Sequence, residues 1–384
     1  RCACAPLRMV FPTELNLTMI DTNDFERLRR IGLTPALMPA VMTAMTTVAL
    51  AGAEPTLMRV TEVQREGVTL NDGGAEHDAR LLPALRAALA NEGDAVAVGD
   101  WVLADRNAFG EWWVHTRVPP LNQLARRLHD GRDKVTRVVI VSNVDTALLV
   151  MGLDHDYSPR RLERYLALVR MAGVAAVVVL TKADLCDDVA SRLRQVQSLL
   201  PQGAAAVAVN ALGTGDAAPG QALAPWLQPG QTLVLLGSSG AGKSTLTNAL
   251  TGAGQDTGAN RAGDSRGRHT TTARSLHAMP QGACIIDTPG LRTLRLDGDA
   301  DRLDAVFDDI ARLAPLCRFR DCGHDNEPGC AVRAAVSSER LRNYHKLQRE
   351  ARRDSITALE RKALVSQWKA RGRAARERLN AKRG

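Results

Sequence analysis

Short stretches of alternating apolar and polar residues fill the chain between positions 57 and 118. A period of two is typical of strands that bury one face, and turn residues separate the stretches. Five short strands in about sixty residues indicate a small β-barrel, and an OB-fold is the natural candidate. The predicted strands are Leu57–Val63, Gly67–Asn71, Glu76–Leu81, Asp100–Ala104 and Trp112–Val118.

Three tryptophans lie in this predicted barrel, namely Trp101, Trp112 and Trp113. Aromatic side chains on such a barrel can stack on nucleic-acid bases. Large aromatic residues more often fill a core, because they bury a large apolar area. We therefore expect these side chains to be mainly structural.

A different pattern covers residues 120–300, where continuous apolar runs alternate with segments of helical periodicity. Continuous apolar runs indicate parallel strands buried on both faces, so this region is predicted to be an α/β domain. A helix is expected to begin at Pro159, with Ser158 as its N-cap. The predicted strands are Arg137–Val141, Ala147–Leu153, Val174–Leu180, Ala204–Val209, Gln231–Leu236 and Gly282–Ile286.

Residues 237–245 match the phosphate-binding pattern G-x-x-x-x-G-K-[ST] between a predicted strand and a predicted helix. Glycines let the backbone N–H groups wrap a phosphate chain, and the helix adds its positive N-terminal end. Lys243 is expected to reach the β- and γ-phosphates, and Ser244 to ligate Mg²⁺. The predicted nucleotide-binding residues of this loop are Gly237, Ser238, Ser239, Gly240, Ala241, Gly242, Lys243, Ser244 and Thr245.

A second strand end carries Asp287-Thr288-Pro289-Gly290. We predict that Asp287 holds Mg²⁺ and that the Gly290 amide senses the γ-phosphate. A threonine of the preceding Gly-Arg-His-Thr-Thr-Thr segment is expected to complete the Mg²⁺ shell, with Thr271 favoured over Thr270.

A third strand end carries Thr181-Lys182-Ala183-Asp184, which resembles the Asn-Lys-x-Asp loop that reads guanine. The Asp184 carboxylate can accept hydrogen bonds from N1–H and the exocyclic amine of guanine, a donor pair that adenine lacks. Lys182 is expected to pack along the base. The second base-side element is predicted at Asn210 and Ala211.

The order of these motifs is unusual, because the base-reading loop precedes the phosphate loop. The parts are those of a GTPase in a circularly permuted chain. Leu291 stands where many GTPases carry a water-orienting glutamine, so slow intrinsic hydrolysis is expected. His269 is a candidate to position the attacking water, or it makes only local hydrogen bonds.

Three cysteines and one histidine lie within fourteen residues, as Cys317-x₄-Cys322-x-His324-x₅-Cys330. Three thiolates and one imidazole form a closed tetrahedral set, which predicts a structural zinc site. The alternatives are reduced free thiols or redox-active cysteines.

The charge of the 384-residue chain is concentrated at its C-terminal end. Residues 331–384 contain 16 Lys and Arg against 5 Asp and Glu, whereas the whole chain carries a net charge of +8. Either an RNA partner or a solvated surface helix explains such a segment. We see no signal peptide and no apolar run that spans a bilayer, so a cytoplasmic location is expected. The natural start is expected near Met19.

Together these residues resemble the ribosome small-subunit-dependent GTPase A family, of the RsgA/YjeQ type. The resemblance rests on the barrel, the permuted motif order, the Gly-Arg-His-Thr-Thr-Thr segment, Leu291 and the Cys/His spacing, between about residues 57 and 350. It implies subunit-stimulated GTP hydrolysis in late maturation of the small ribosomal subunit. It also implies rRNA contacts, GTP with Mg²⁺ and one zinc ion. We expect a monomer.

The implied organisation is a multidomain α/β protein. An N-terminal segment of unassigned function (1–55) is compatible with partial disorder. It precedes an OB-fold RNA-binding barrel (56–119), a circularly permuted P-loop GTPase domain (120–300) and a zinc-binding helical domain with a basic tail (301–384). Two alternatives are a P-loop ATPase or small-molecule kinase, and an RNA-binding module that senses nucleotide without hydrolysing it. Asp184 and the motif order argue against the first, and Leu291 keeps the second open.

Overall fold

The computed structural model describes residues 20–49, 55–129, 135–210, 218–252, 274–288, 303–304 and 306–355, and the statements below concern those residues. The helices are Thr22–Arg29 (α1), Met38–Ala49 (α2), Pro83–Asn91 (α3), Pro159–Met171 (α4), Val189–Gln197 (α5), Pro219–Ala222 (α6), Lys243–Thr251 (α7), Asp308–Leu313 (α8), Ala331–Ala335 (α9) and Ser338–Ser355 (α10). The strands are Thr56–Val63 (β1), Val68–Asn71 (β2), Glu76–Leu81 (β3), Trp101–Arg106 (β4), Trp112–Arg117 (β5), Gln123–His129 (β6), Val135–Ser142 (β7), Thr146–Gly152 (β8), Ala175–Thr181 (β9), Ala205–Ala208 (β10), Thr232–Leu236 (β11), Ser275–Ala278 (β12) and Cys284–Asp287 (β13).

Strands β1 to β5 close into a barrel. β1 pairs with β2 and with β4, β2 pairs with β3, and β3 lies parallel to β5, which pairs with β4. Helix α3 connects β3 to β4 and begins at Pro83, where the missing N–H of proline costs nothing. Five strands closed in this way with a helix before the fourth are the arrangement of an OB-fold, as the alternating pattern predicted. The pattern did not predict α3.

Two of the three barrel tryptophans occupy different environments. Trp101 is fully buried, but it points away from the barrel interior into the core shared with α1, α2 and the following domain. Trp112 is half-buried beside the barrel interior, with the Arg106 guanidinium 4.8 Å from its ring centroid. The structural role expected of these residues therefore holds for Trp101, although its partners lie outside the barrel.

The second part of the chain is built on parallel strands in the order β10-β9-β8-β11-β13. Residues 148, 150, 233 and 235 face one buried layer, and their neighbours 149, 151, 234 and 236 face the other. Burial on both faces explains why these strands appear in the sequence as continuous apolar runs. The predicted helix does begin at Pro159, but the Ser158 side chain makes no capping hydrogen bond.

The barrel and the parallel strands form one continuous sheet. Strand β12 pairs antiparallel with β13 on one side and with β1 on the other, where Glu62 lies opposite Ser275. A separate antiparallel pair, β6 and β7, follows the barrel, and Val98 bridges to Val141 of β7.

The buried Arg59 of β1 stabilises this junction through hydrogen bonds. Its side chain is fully buried and donates hydrogen bonds to the carbonyl oxygens of Ile31, Gly99 and Asn143. It also donates to the Thr232 hydroxyl at 2.9 Å, and its guanidinium lies over Trp101. A single side chain thus connects the loop after α1, the barrel and the first residue of β11.

Replacing Arg59 by methionine should reduce the free energy of unfolding by about 3–5 kcal/mol, because several buried acceptors lose their donor. Chemical denaturation monitored by circular dichroism measures this loss. The exposed Arg65 in the turn after β1 gives the matched control, because Arg65→Met makes the same chemical change at a solvent-exposed position. A loss below about 1 kcal/mol for Arg59→Met would show that the junction does not depend on this side chain.

The C-terminal helices pack against α4. Arg340 of α10 makes a two-pronged contact with Asp309, at 2.7 and 2.8 Å, and donates to the buried Glu163 of α4. Phe307 meets Tyr344 edge to face with ring centroids 5.2 Å apart. The apolar stripe of this helix, formed by Leu341, Tyr344 and Leu347, is buried. Within the described part of the chain, no helix is both long and apolar enough to span a membrane.

Candidate functional site

The predicted phosphate loop connects β11 to α7. Gly237 is placed so tightly that a Cβ atom there would lie 2.4 Å from the carbonyl oxygen of Val150, so the first position of the loop requires glycine. Gly240 and Gly242 adopt positive φ angles of 82° and 93°. These are conformations that glycine adopts without strain. The loop therefore has the backbone conformation that its glycines predicted.

Lys243 begins α7 and points back over the loop. Its ammonium group donates to the carbonyl oxygens of Gly237 at 2.9 Å and Ser238 at 2.6 Å. Burial lowers the pKa of Lys243, and the nearby charges of Asp287 and Asp156 act in the opposite direction. The positive charge is thus held inside the loop, where a phosphate chain would replace the two carbonyl partners.

Asp287, the carboxylate predicted to hold Mg²⁺, is the last residue of β13, which lies next to β11. Its side chain is buried, and burial raises its pKa against the opposing charges of Lys243 and His277. The exposed Ser244 hydroxyl stands at the start of α7. One hydroxyl and one carboxylate at adjacent strand ends are oxygen ligands suited to Mg²⁺ with bound phosphates.

The predicted base-reading loop follows β9. Thr181 is buried, and its hydroxyl donates to the carbonyl oxygen of Ala241 at 2.6 Å. This hydrogen bond ties the base-reading loop to the phosphate loop. Lys182 adopts a left-handed conformation with φ of 57°, and Asp184 is exposed, as a base-binding carboxylate must be before ligand arrives.

These strand ends meet at one edge of the sheet. β9, β8, β11 and β13 are neighbours and parallel, so the loops that follow them lie on the same side, where open α/β sheets bind ligands. Asn210 follows β10 at this same edge. Five predicted site residues lie outside the described residues, namely Ala211, His269, Thr270, Thr271 and Gly290.

Sequence reasoning missed two carboxylates at this edge, in the loop between β8 and α4. Asp154 forms an ion pair with Lys182, with 2.6 Å between Oδ2 and Nζ. Asp156 accepts from the Ser238 hydroxyl at 2.6 Å and pairs with Arg161. The available signal was their position, since acidic residues directly after a buried parallel strand lie where ligands bind.

The four predicted metal ligands converge in the C-terminal region. The ligand atoms of Cys317, Cys322, His324 and Cys330 all lie within 4.8 Å of one another. The sulfur atoms of Cys317 and Cys330 are 3.9 Å apart, and His324 Nδ1 lies 3.6 and 3.5 Å from them. A tetrahedral zinc ion places its sulfur and nitrogen ligands about 3.5–3.8 Å apart, so these residues fit zinc.

The surrounding backbone holds this cluster in place. Cys330 caps α9 and accepts from the Arg333 N–H, while the Glu327 carboxylate accepts from the N–H groups of Gly323 and Asp325. The N–H of Val332, and then that of Ala331, lower the pKa of the Cys317 thiol. A lower pKa favours the thiolate, which is the form that binds metal.

The arrangement of the loops at the sheet edge agrees with the known proteins that this chain resembles. A model of the RsgA GTPase family matches residues 119–297. A Xanthomonas axonopodis pv. citri (strain 306) protein, named small ribosomal subunit biogenesis GTPase RsgA, is 42% identical over 340 residues, which cover 86% of this chain and 91% of that protein. The chain belongs to the RsgA GTPase family. A second relative with the same name, from Xylella fastidiosa (strain M23), is 48% identical over 263 residues, or 67% of this chain and 76% of the relative.

Solved structures agree with the RsgA assignment. The crystal structure of YjeQ from Thermotoga maritima matches with a TM-score of 0.55 and 25% identity, covering 78% of this chain and 99% of that one. The structure of YloQ, described as a circularly permuted GTPase, matches with a TM-score of 0.53 and 22% identity, over 79% of this chain and 97% of that one. The permuted architecture predicted from the motif order is therefore confirmed.

Proposed function

We propose that this protein is a GTPase that binds the small ribosomal subunit and hydrolyses GTP to GDP and phosphate during late assembly of the subunit. The observation that carries this proposal is the meeting of the phosphate loop, Asp287 and the base-reading loop at one sheet edge. The names of the RsgA relatives supply the ribosomal partner. Leu291 cannot orient a water molecule, so hydrolysis in this proposal is slow until the subunit completes the site and stimulates it.

Each residue at the edge has a role in this proposal. Lys243 neutralises the β- and γ-phosphates, while Ser244 and Asp287 hold the Mg²⁺ ion that accompanies GTP. Asp184 selects guanine, and Lys182 packs along the base. Thr181 acts indirectly, since its bond to the phosphate loop fixes the spacing between the two halves of the nucleotide site.

In this proposal, the regions on either side of the GTPase domain bind RNA. The barrel (56–119) and the basic C-terminal region (301–384) are proposed to contact rRNA on either side of the GTPase domain (120–300), with the protein acting as a monomer. One zinc ion would staple the Cys/His loop, which has few apolar residues of its own.

Phosphate release from GTP and from ATP, each with and without purified small ribosomal subunits, tests the proposal. We expect slow release from GTP alone, an increase of at least about tenfold with subunits, and little release from ATP under either condition. GTP supplied with large subunits is the control for a general ribosome effect.

Two results would contradict the proposal. Equal turnover of GTP and ATP that subunits do not change would indicate a generic P-loop NTPase. Tight, GTP-selective binding to subunits with no turnover would indicate an RNA-binding module that only senses nucleotide.

A further inference from the structure

The loop between β8 and α4 lies between the two loops that are proposed to hold the nucleotide. β8 is the strand between β9, which precedes the base-reading loop, and β11, which precedes the phosphate loop. The side chains of Asp154 and Asp156 in this loop are 15% and 11% exposed. Neither carboxylate belongs to a nucleotide-binding motif, so their placement requires an explanation.

Asp154 is directed at the base-reading loop. Its Oδ2 atom lies 2.6 Å from Lys182 Nζ, and its Oδ1 atom accepts from the N–H of Asp156 at 3.0 Å. Burial acts to raise the pKa of Asp154, but the hydrogen bond from Lys182 and the other donors hold it below its usual value. The carboxylate is therefore ionised throughout the neutral range, and the ion pair persists there.

The backbone makes room for this pair. A Cβ atom at Gly152 would lie 2.6 Å from Asp154 Oδ1 and 3.4 Å from Lys182 Cδ, so the lysine stem crosses the glycine closely. Lys182 itself adopts a left-handed conformation, which is uncommon for a residue with a side chain. The loop thus turns Lys182 back towards β8 and gives its ammonium group a fixed partner.

The same loop also reaches the phosphate side. Both carboxylate oxygens of Asp156 lie 2.6 Å from the Ser238 hydroxyl, and Arg161 neutralises the carboxylate. Since the Asp156 N–H donates to Asp154, the two carboxylates are linked through their own backbone. A short acidic bridge therefore spans from the base-reading lysine to the phosphate loop.

We propose that Asp154 is a positioning residue for guanine-nucleotide binding, which fixes the Lys182 side chain along the plane of the base before the nucleotide arrives. This inference rests on the proposed GTPase function. A lysine stem has many rotamers, and binding is tighter when that freedom has already been lost. Asp154 touches no reacting atom, and the proposed effect on nucleotide binding passes through Lys182.

A purely structural ion pair and a positioning ion pair predict different results. The pair is partly exposed, at 30% for Lys182 and 15% for Asp154, and such pairs contribute little to folding stability. A positioning role places the effect in nucleotide affinity instead. The contact is with a part of the nucleotide that does not react, so ground state and transition state should lose it equally.

The test uses Asp154→Asn in the full-length protein. We expect KM for GTP and Kd for GDP to rise together by about five- to tenfold, with kcat and the melting temperature unchanged. Asp187→Asn, an exposed carboxylate beyond the base-reading loop, is the matched control and should leave all four quantities unchanged. In a Lys182→Gln background, Asp154→Asn should produce no further loss, because its effect passes through the lysine.

Three outcomes would overturn the inference: unchanged KM and Kd, additive losses in the double variant, or an Asp154→Asn protein that does not fold. Failure of the proposed function is distinguishable from these results. It would appear in the unmodified protein, as an absence of selective binding of GTP and GDP.

Discussion

Replacing Lys243 by alanine is expected to lower kcat/KM for GTP by about 100-fold or more, with or without small ribosomal subunits. The ammonium group is the buried positive charge of the phosphate loop. It interacts electrostatically with Asp287, the residue proposed to hold Mg²⁺. Removing one preorganised charge from a transition state of this kind costs about a hundred- to a thousandfold in rate. Phosphate release at several GTP concentrations measures the change.

The substitution also removes hydrogen bonds to Gly237 and Ser238, so folding must be checked separately. A circular dichroism melt of Lys243→Ala serves that purpose. Arg194→Ala is the control, because it removes an exposed positive charge from α5 of the same domain. Retention of more than a tenth of the activity by a folded Lys243→Ala protein would remove this lysine from the catalytic role.

Loss of zinc from the proposed Cys/His site is expected to have the largest effect on stability. The segment from Cys317 to Cys330 contains turns but no helix or strand, and it has little apolar surface, so a bound zinc ion would supply most of its folding energy. Structural zinc contributes on the order of 10 kcal/mol in small domains. Cys330→Ala should therefore abolish stoichiometric zinc binding and unfold α8 to α10. The helical circular dichroism signal should decrease, and proteases should now cleave in that region.

Cys186→Ser provides the comparison, since Cys186 lies outside the cluster and should leave one zinc ion per chain by elemental analysis. A chelator should reproduce the effect of Cys330→Ala in the unmodified protein. A chain that keeps its helices and its melting temperature after the metal has been removed would show that packing against α4 is sufficient for this region.

The sequence predicted most of what depends on local pattern. The barrel strands, the buried parallel strands and the phosphate loop each carry a signal within about ten residues, whether a period of two, a continuous apolar run or fixed glycines. The Cys/His spacing predicted a cluster because its members are close along the chain. In these cases the local physics and the final fold agree.

What the sequence did not predict depends on residues that are far apart along the chain. Arg59 looks like an ordinary strand residue, yet its hydrogen-bond partners lie 28 to 173 positions away. Asp156 meets Ser238 across 82 positions, and Asp154 meets Lys182 across 28. The Thr181 hydroxyl meets the carbonyl oxygen of Ala241 across 60 positions.

A single apolar core runs through regions that the chemistry separates. Leu28 of α1, Trp101 of the barrel, Leu149 of β8, and Phe307 and Tyr344 of the C-terminal region all belong to one buried cluster. No cut between these regions avoids exposing apolar surface, so the barrel and the Cys/His region are not modules that can be exchanged freely. Defects in either region therefore also weaken the nucleotide site. Evolutionary change in any one of these regions is therefore constrained by the stability of the whole fold.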